Sequence, residues 1–335
     1  MSHSELNTLS VTYRQGYHWA VVDLLASLPS LVLSGWLLVG TAALPANWAA
    51  VLVAVLWAAS GPVVLGWQRL MLGAMALSSE RNLPDEHDRV NRAWANVTDA
   101  AGLPAATTTV WVMRSDAVNG AVNASGYISV TRSAVEALTE RQLEALIAHE
   151  LGHRLQGTAT WRSVIRWYRW PFELLVRAVF APADWLMVPL HPRLLRLSNR
   201  VMAALRYSSL GAAAATTLLV APAVLAYGTA ACLLFAALAL LLGPWGSVLA
   251  LALAATQLVT RPRLSHRLEY LADRVVVDLG YLDDFRYVLQ LVYDRSKVPG
   301  STAHATEVPT LLSTHPRLDD RLAALDRYAH RTRSS

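Results

Sequence analysis

The sequence predicts a mainly α (α+β) integral membrane protein: four transmembrane helices in two hairpins, and a polar part that carries a small β-sheet. Three observations support this. Hydrophobic residues make up 54% of the 335 and charged ones only 16%, a balance outside that of soluble globular chains. Two stretches, Leu24 to Gln68 and Ser208 to Thr260, contain no formal charge. Each is about twice the roughly 20 residues that a helix needs to cross a bilayer. The polar remainder mixes helical periodicity with two short β-rich runs.

Residues 1–23 form a polar lead with Tyr13, Arg14 and Tyr17. Asp23 interrupts the N-terminal stretch, and no basic segment precedes a short apolar run with a cleavage site, so the first span is expected to remain as an anchor. In the first hairpin, 24–67, Pro45-Ala46-Asn47-Trp48 separates spans of about 24–44 and 49–67. In the second, 208–260, Tyr227-Gly228 is the expected division, with Gly243-Pro244 as a kink or an alternative turn.

The segment between the hairpins, 68–207, begins polar and helical. Asp85 to Ala101 places Val90, Trp94, Val97 and Ala101 at helical spacing, and Gly102-Leu103-Pro104 ends the run. Thr107 to Met113 and Tyr127 to Thr131 are β-rich, with the turn-rich Asp116 to Gly126 between them. Leu143 to Arg154, L-E-A-L-I-A-H-E-L-G-H-R, is an amphipathic helix with Leu143, Leu146, Ile147 and Leu151 as its stripe. Thr139 and Gln142 supply a capping box, and Gly157 a stop. Residues 157–207 are dense in Arg and Trp, and Pro171, Pro182, Pro189 and Pro192 are expected to break them into short pieces. Such a stretch is either a membrane-lying segment at headgroup level or a solvated connector.

The last part, 261–335, reads as a helix over Arg261 to Asp278 and another over Asp283 to Ser296. A Pro/Gly/Ser/Thr-rich loop, Val298 to Thr314, enters directly into His315 and could cover a cleft until substrate arrives. Thr314-His315-Pro316 then opens a final helix with Leu318, Leu322 and Leu325 on one face.

The chemistry is concentrated at His149, Glu150 and His153. On a helix, residues i and i+4 share a face, so two imidazoles can grip one Zn2+ while the adjacent carboxylate serves as base. Three protein ligands and a water make a catalytic zinc site of the zincin type. Glu269 is the best candidate for the third ligand, because it opens E-x-x-x-D, which places Asp273 one turn further along the same face. Asp273 could then orient a ligating imidazole through its second nitrogen.

The net charge of +5 comes almost wholly from arginine, since Lys297 is the only lysine. Arginines occur throughout 69–207 and 261–332 and are absent from both hairpin tips. By the positive-inside rule, the N-terminus, the H-E-x-x-H segment and the C-terminus face the cytoplasm of a bacterial-type cytoplasmic membrane. No Lys/Arg cluster is interleaved with base-stacking aromatics, which argues against a nucleic-acid partner. Cys232, the sole cysteine, excludes an internal disulfide and a Cys-based metal cluster.

H-E-L-G-H at 149–153, E-Y-L-A-D-R at 269–274 and T-H-P-R-L-D-D-R at 314–321, with a membrane hairpin between the first two, resemble the membrane zinc metallopeptidases of the HtpX-like and CAAX-prenyl-protease type. The resemblance covers about residues 70 to 328. It implies one Zn2+ held by His149, His153 and Glu269, with Glu150 as general base and Asp273 behind a ligand. It implies that His315 steadies the oxyanion and that Arg321 lies near the same site. The family's Asn-Ala motif precedes an edge strand. Asn119 fits the longer-loop spacing and is preferred to Asn123, which fits the shorter one. Gly126, Tyr127, Ile128, Ser129 and Val130 would form the edge that takes up a protein or peptide substrate as an added β-strand. Gly120 departs from the usual Ala, and Thr158 from a frequent acid. The implied activity is a zinc metalloendopeptidase acting on misfolded or damaged membrane proteins. A dedicated processing protease and a non-catalytic zinc-binding scaffold are the alternatives, and an oligomer or a membrane partner protein is compatible with each.

Overall fold

A computed structural model describes residues 3–43, 47–82, 84–103, 110–123, 126–296 and 315–334. The loop expected over Val298 to Thr314 therefore lies outside the described residues, as does most of the first hairpin tip. The described chain is mostly helical, with a three-stranded sheet and several long apolar helices.

In order, the elements are α1 (His3–Ala43), α2 (Asn47–Asn82), α3 (Pro84–Ala100), β1 (Val110–Met113), β2 (Gly120–Val122), β3 (Ile128–Thr131), α4 (Arg132–Ala137), α5 (Glu140–Leu155), α6 (Thr158–Ala204), α7 (Ser209–Asp278), α8 (Leu282–Ser296) and α9 (Leu318–Ser334). Contacts divide them into two units. One comprises Met1–Leu28, Trp57–Trp167 and Thr256–Ser335, the other Pro29–Leu56 and Tyr168–Ala255.

The first unit is built around α5. Every residue from Leu143 to Gly152 is buried. Val90, Trp94 and Val97 of α3, Val110 and Val112 of β1, Ile128 and Val130 of β3, Phe285 and Val288 of α8, and Leu325 of α9 share its apolar core. The capping box forms as expected: Thr139 Oγ1 accepts from the Gln142 backbone N–H and Gln142 Oε1 accepts from that of Thr139. The reciprocal bonds satisfy two N–H groups at the helix start and fix where α5 begins.

The sheet order is β1-β3-β2, with β1 parallel and β2 antiparallel to β3. This corrects the expected substrate edge. Residues 128–130 lie in the central strand, and both of its backbone edges are already hydrogen-bonded to neighbours. Among the described residues, the free edge on that side belongs to β2, in the stretch read as turn. Asn123 explains why a strand hides there: its Oδ1 accepts from Tyr127 N–H and its own N–H donates to Tyr127 O, closing a tight hairpin. Gly126, at φ 79°, completes the turn.

Two further expectations are corrected. Prolines 171, 182, 189 and 192 do not break the chain into pieces, and α6 runs through all four. Proline is tolerated in helices whose neighbours or surroundings re-satisfy the freed carbonyls. Tyr227-Gly228 is helical, and the interruption of α7 falls instead at Gly243, with φ 71° and ψ 169°. Only glycine takes that conformation without steric cost. In the second unit, Leu33, Phe172, Leu234, Leu238 and Ala250 form an apolar cluster. Among the described residues, four helices are long and apolar enough to cross a membrane, over His18–Gly40, Asn47–Met75, Thr158–Ala204 and Ser209–Asp278.

Candidate metal centre

Helix α5 presents His149 and His153 on one face, their Nε2 atoms 3.1 Å apart. The end of α7 brings Glu269 to them, with carboxylate oxygens 3.6 Å from His149 Nε2 and 3.5 Å from His153 Nε2. A tetrahedral zinc with ligand bonds of about 2.0–2.1 Å separates its ligand atoms by about 3.3 Å. The three separations, which involve both Glu269 oxygens, lie around that value, so the donors are of the right chemistry and close enough together for such an ion.

The approach of α7 to α5 depends on Gly152. A Cβ there would lie 2.7 Å from Ala272 Cα and 2.9 Å from Ala272 O. The helices therefore touch backbone to backbone between the two histidines on one side and between Glu269 and Asp273 on the other. Gln156 adds a tie at the end of α5, donating from Nε2 to Leu268 O at 2.8 Å, one residue before Glu269.

Behind the donors, Asp273 Oδ1 is 3.0 Å from His149 Nδ1, as expected of a carboxylate that orients a ligand. Arg321, in the first turn of α9, holds Asp273 in a fork: Nε donates to Oδ2 at 2.9 Å and Nη2 to Oδ1 at 2.6 Å. Its Nη1 is 3.6 Å from Glu269 Oε2. Arg321 thus reaches the site through the two carboxylates. Phe285, which the sequence did not single out, stacks on His149 with centroids 5.1 Å apart, and the Arg321 guanidinium lies 5.6 Å from the same Phe285 ring. Its spacing with Tyr281, Val288 and Leu289 reads simply as a core face, so no pattern marked it.

His315 stands at the mouth, largely exposed, with Nδ1 3.2 Å from Glu269 Oε1. Asn119 is exposed at the start of β2. Its backbone N–H donates to Thr131 Oγ1, and its Oδ1 accepts from Gly120 N–H at 3.0 Å. Gly120 lies against Glu150: a Cβ on it would be 2.8 Å from Glu150 Cγ and 2.9 Å from Oε1. The edge strand and the carboxylate next to the metal donors are therefore in direct contact.

Electrostatics separate the three groups on α5. Burial pushes the Glu150 carboxyl up to about 7. Burial also opposes charge on His149, but the Asp273 and Glu269 carboxylates outweigh it and hold the imidazole at about 9. Burial, reinforced by the His149 charge, presses His153 down to about 4.

Residues 84–181 match the model of peptidase family M48. This part of the chain is similar to the peptidases of family M48. The family consists of zinc metallopeptidases, so the match supports the metallopeptidase chemistry that the donor set suggests. No curated protein and no solved structure matches the chain. The M48 match spans α3, the sheet, α5 and the first half of α6, and ends before Glu269, His315 and Arg321. Those three are joined to the H-E-x-x-H helix by the geometry above.

Proposed function

We propose that the chain is a zinc-dependent membrane endopeptidase whose substrates are misfolded or damaged membrane proteins. The observation that carries the reading is the convergence of His149, His153 and Glu269 at tetrahedral spacing beside a buried Glu150 that is not among the donors. A structural zinc site is closed by protein ligands and has no use for an adjacent free carboxylate. Zinc bound there would polarise the scissile carbonyl and acidify water.

The chain's own residues supply the rest. A peptide adds to the free edge of β2, extending the sheet to four strands directly over Glu150. Glu150 takes a proton on its carboxylate and returns it to the leaving nitrogen. Asn119 and His315 donate towards the developing oxyanion, and such donors typically contribute about 2.7–4 kcal/mol each. Asp273, held by Arg321, keeps His149 turned towards the metal, which makes Arg321 a positioning residue. Two hairpins, α1 with α2 and the two arms of α7 about Gly243, hold this centre on the cytoplasmic side of the membrane.

The test is cleavage of an unfolded reporter by detergent-purified protein, with Glu150→Gln alongside. Wild type should cut only with zinc restored after chelation. Glu150→Gln should lose about 10²- to 10⁴-fold in kcat while still binding zinc. Equal rates for the two proteins refute the assignment. Refusal of unfolded substrates by a zinc-loaded wild type would instead favour a dedicated processing protease that matures one peptide or regulator.

A further inference from the structure

A pocket of about 520 Å³ opens in the first unit, on elements remote in sequence from the M48 match. His18 and Trp19 of α1, Arg267, Tyr270 and Leu271 of α7, and Tyr328 of α9 line it. Five of these side chains can donate a hydrogen bond: an imidazole, an indole, a guanidinium and two phenols. None is acidic. The Arg267 guanidinium lies over the Trp19 ring, 5.4 Å from its centroid, which anchors the cation at the pocket wall.

The pocket's place along its helices matters as much as its chemistry. His18 and Trp19 lie about one and a half turns before the uncharged run of α1, which begins at Leu24. On α7 the uncharged run ends at Thr260, and Arg267 stands about two turns beyond it. Both helices therefore bring the pocket to the level where apolar surface gives way to charge. That is where tryptophan and tyrosine side chains and the phosphates of a bilayer meet. A donor-rich cavity whose lining carries a cation and no acid is, at that depth, complementary to an anion attached to an apolar tail.

We propose that this pocket binds the phosphate headgroup of an anionic phospholipid, in addition to the peptidase chemistry. The inference rests on the membrane reading under Proposed function. Arg267 contacts the phosphate, and Tyr270, on the residue after Glu269, links lipid occupancy to the segment that carries the third metal donor.

The full chain is inserted into nanodiscs of mixed phosphatidylcholine and phosphatidylglycerol, released, and its retained lipid identified by native mass spectrometry. Wild type should keep phosphatidylglycerol in preference to phosphatidylcholine. Arg267→Gln should retain about tenfold less, the loss of one charge-assisted contact. Arg267→Lys, which keeps the charge, should retain it. Equal retention by wild type and Arg267→Gln overturns the proposal, and so does loss in Arg267→Lys to the level of Arg267→Gln. Displacement of the lipid by inorganic phosphate alone would identify a free anion as the ligand and overturn the lipid assignment. Failure of wild type to enter nanodiscs would sink the membrane reading itself. Entry without any difference among variants would sink the pocket alone.

Discussion

Gly120 lies close against the Glu150 side chain in the site. A methyl group at 120 would meet the Glu150 Cγ and Oε1 at 2.8 and 2.9 Å, closer than real Cβ contacts come, so the carboxylate must move. Gly120→Ala should leave bound zinc unchanged and lower kcat by about ten- to a hundredfold, because small displacements of a catalytic group cost that much. Metal analysis beside kcat distinguishes this from a loss of folding, and an unaltered kcat would show that the carboxylate yields without consequence. His149 carries a second prediction. Its imidazole titrates at about 9, whereas His153 titrates at about 4. At pH 7 the three metal donors therefore hold one proton, on His149, that must leave before the metal binds, while Glu150, beside them, is about half protonated. Zinc affinity should rise about tenfold per pH unit from 7 towards 9 and then level off. Calorimetry in buffers of different ionisation enthalpy should detect close to one proton released at pH 7. Asp273→Asn should weaken zinc about 10- to 100-fold, as loss of such an orienting group does. It should also flatten that pH dependence, because the carboxylate that holds the proton is gone. At this scale the sequence was readable where a role depends on one helix turn, as for His149, Glu150 and His153. Phe285 and the Gly120 contact were not, because each depends on elements that meet only on folding.

Among the elements, α5 and the end of α7 must approach at backbone contact for Glu269 to reach the histidines. Gly152→Ala places a methyl group against Ala272 Cα, which cannot be rotated aside. Overpacking of this kind costs about 1–3 kcal/mol. The variant should unfold at a lower temperature and gain less stability from added zinc than wild type, read from melting curves with and without the metal. A wild-type response to zinc would mean that the helices separate without disturbing the donors. The same elements show what hydrophobic pattern conveys. α3, α5 and α9 were legible from periodicity, and the start of α5 from its capping box, since those signals are local. Ile128–Thr131 was legible as a strand, but its central place in the sheet was not. Alternation reveals a pleated segment and says nothing about which neighbours pair with it. β2 was invisible, having three residues in a stretch whose Asn and Gly content signals a turn. Likewise Tyr227-Gly228 and Gly243-Pro244 both carry turn chemistry, and the break falls at the second, at Gly243.

At the scale of the whole molecule, the charge-free stretches and the arginine distribution make a claim about orientation that neither the donor geometry nor the M48 match addresses. Long helices carry exposed apolar side chains such as Trp48, Leu56, Val63, Leu225, Leu240 and Trp245. In water such a surface would drive association, whereas in a bilayer it meets lipid at no cost. Protein in isolated membranes should therefore stay in the pellet through alkaline extraction. The arginine bias adds a direction: cytoplasmic loops keep their positive charge, so the two uncharged tips should be those that cross. Cys232, the sole cysteine, makes this testable, because in a Cys232→Ser background a single new cysteine reports its own side. A cysteine replacing Ala46 or Gly243 should react with a membrane-impermeant maleimide in intact cells. One replacing Ser334 should react only after permeabilisation. Labelling of all three from outside would place the metal centre away from the cytoplasm and redirect the search for its substrates. Labelling of position 46 without 243 would mean that Gly243 bends α7 without turning it. The centre would then hang from a single hairpin, and α6, with its unbroken passage through four prolines, would become the next candidate to cross.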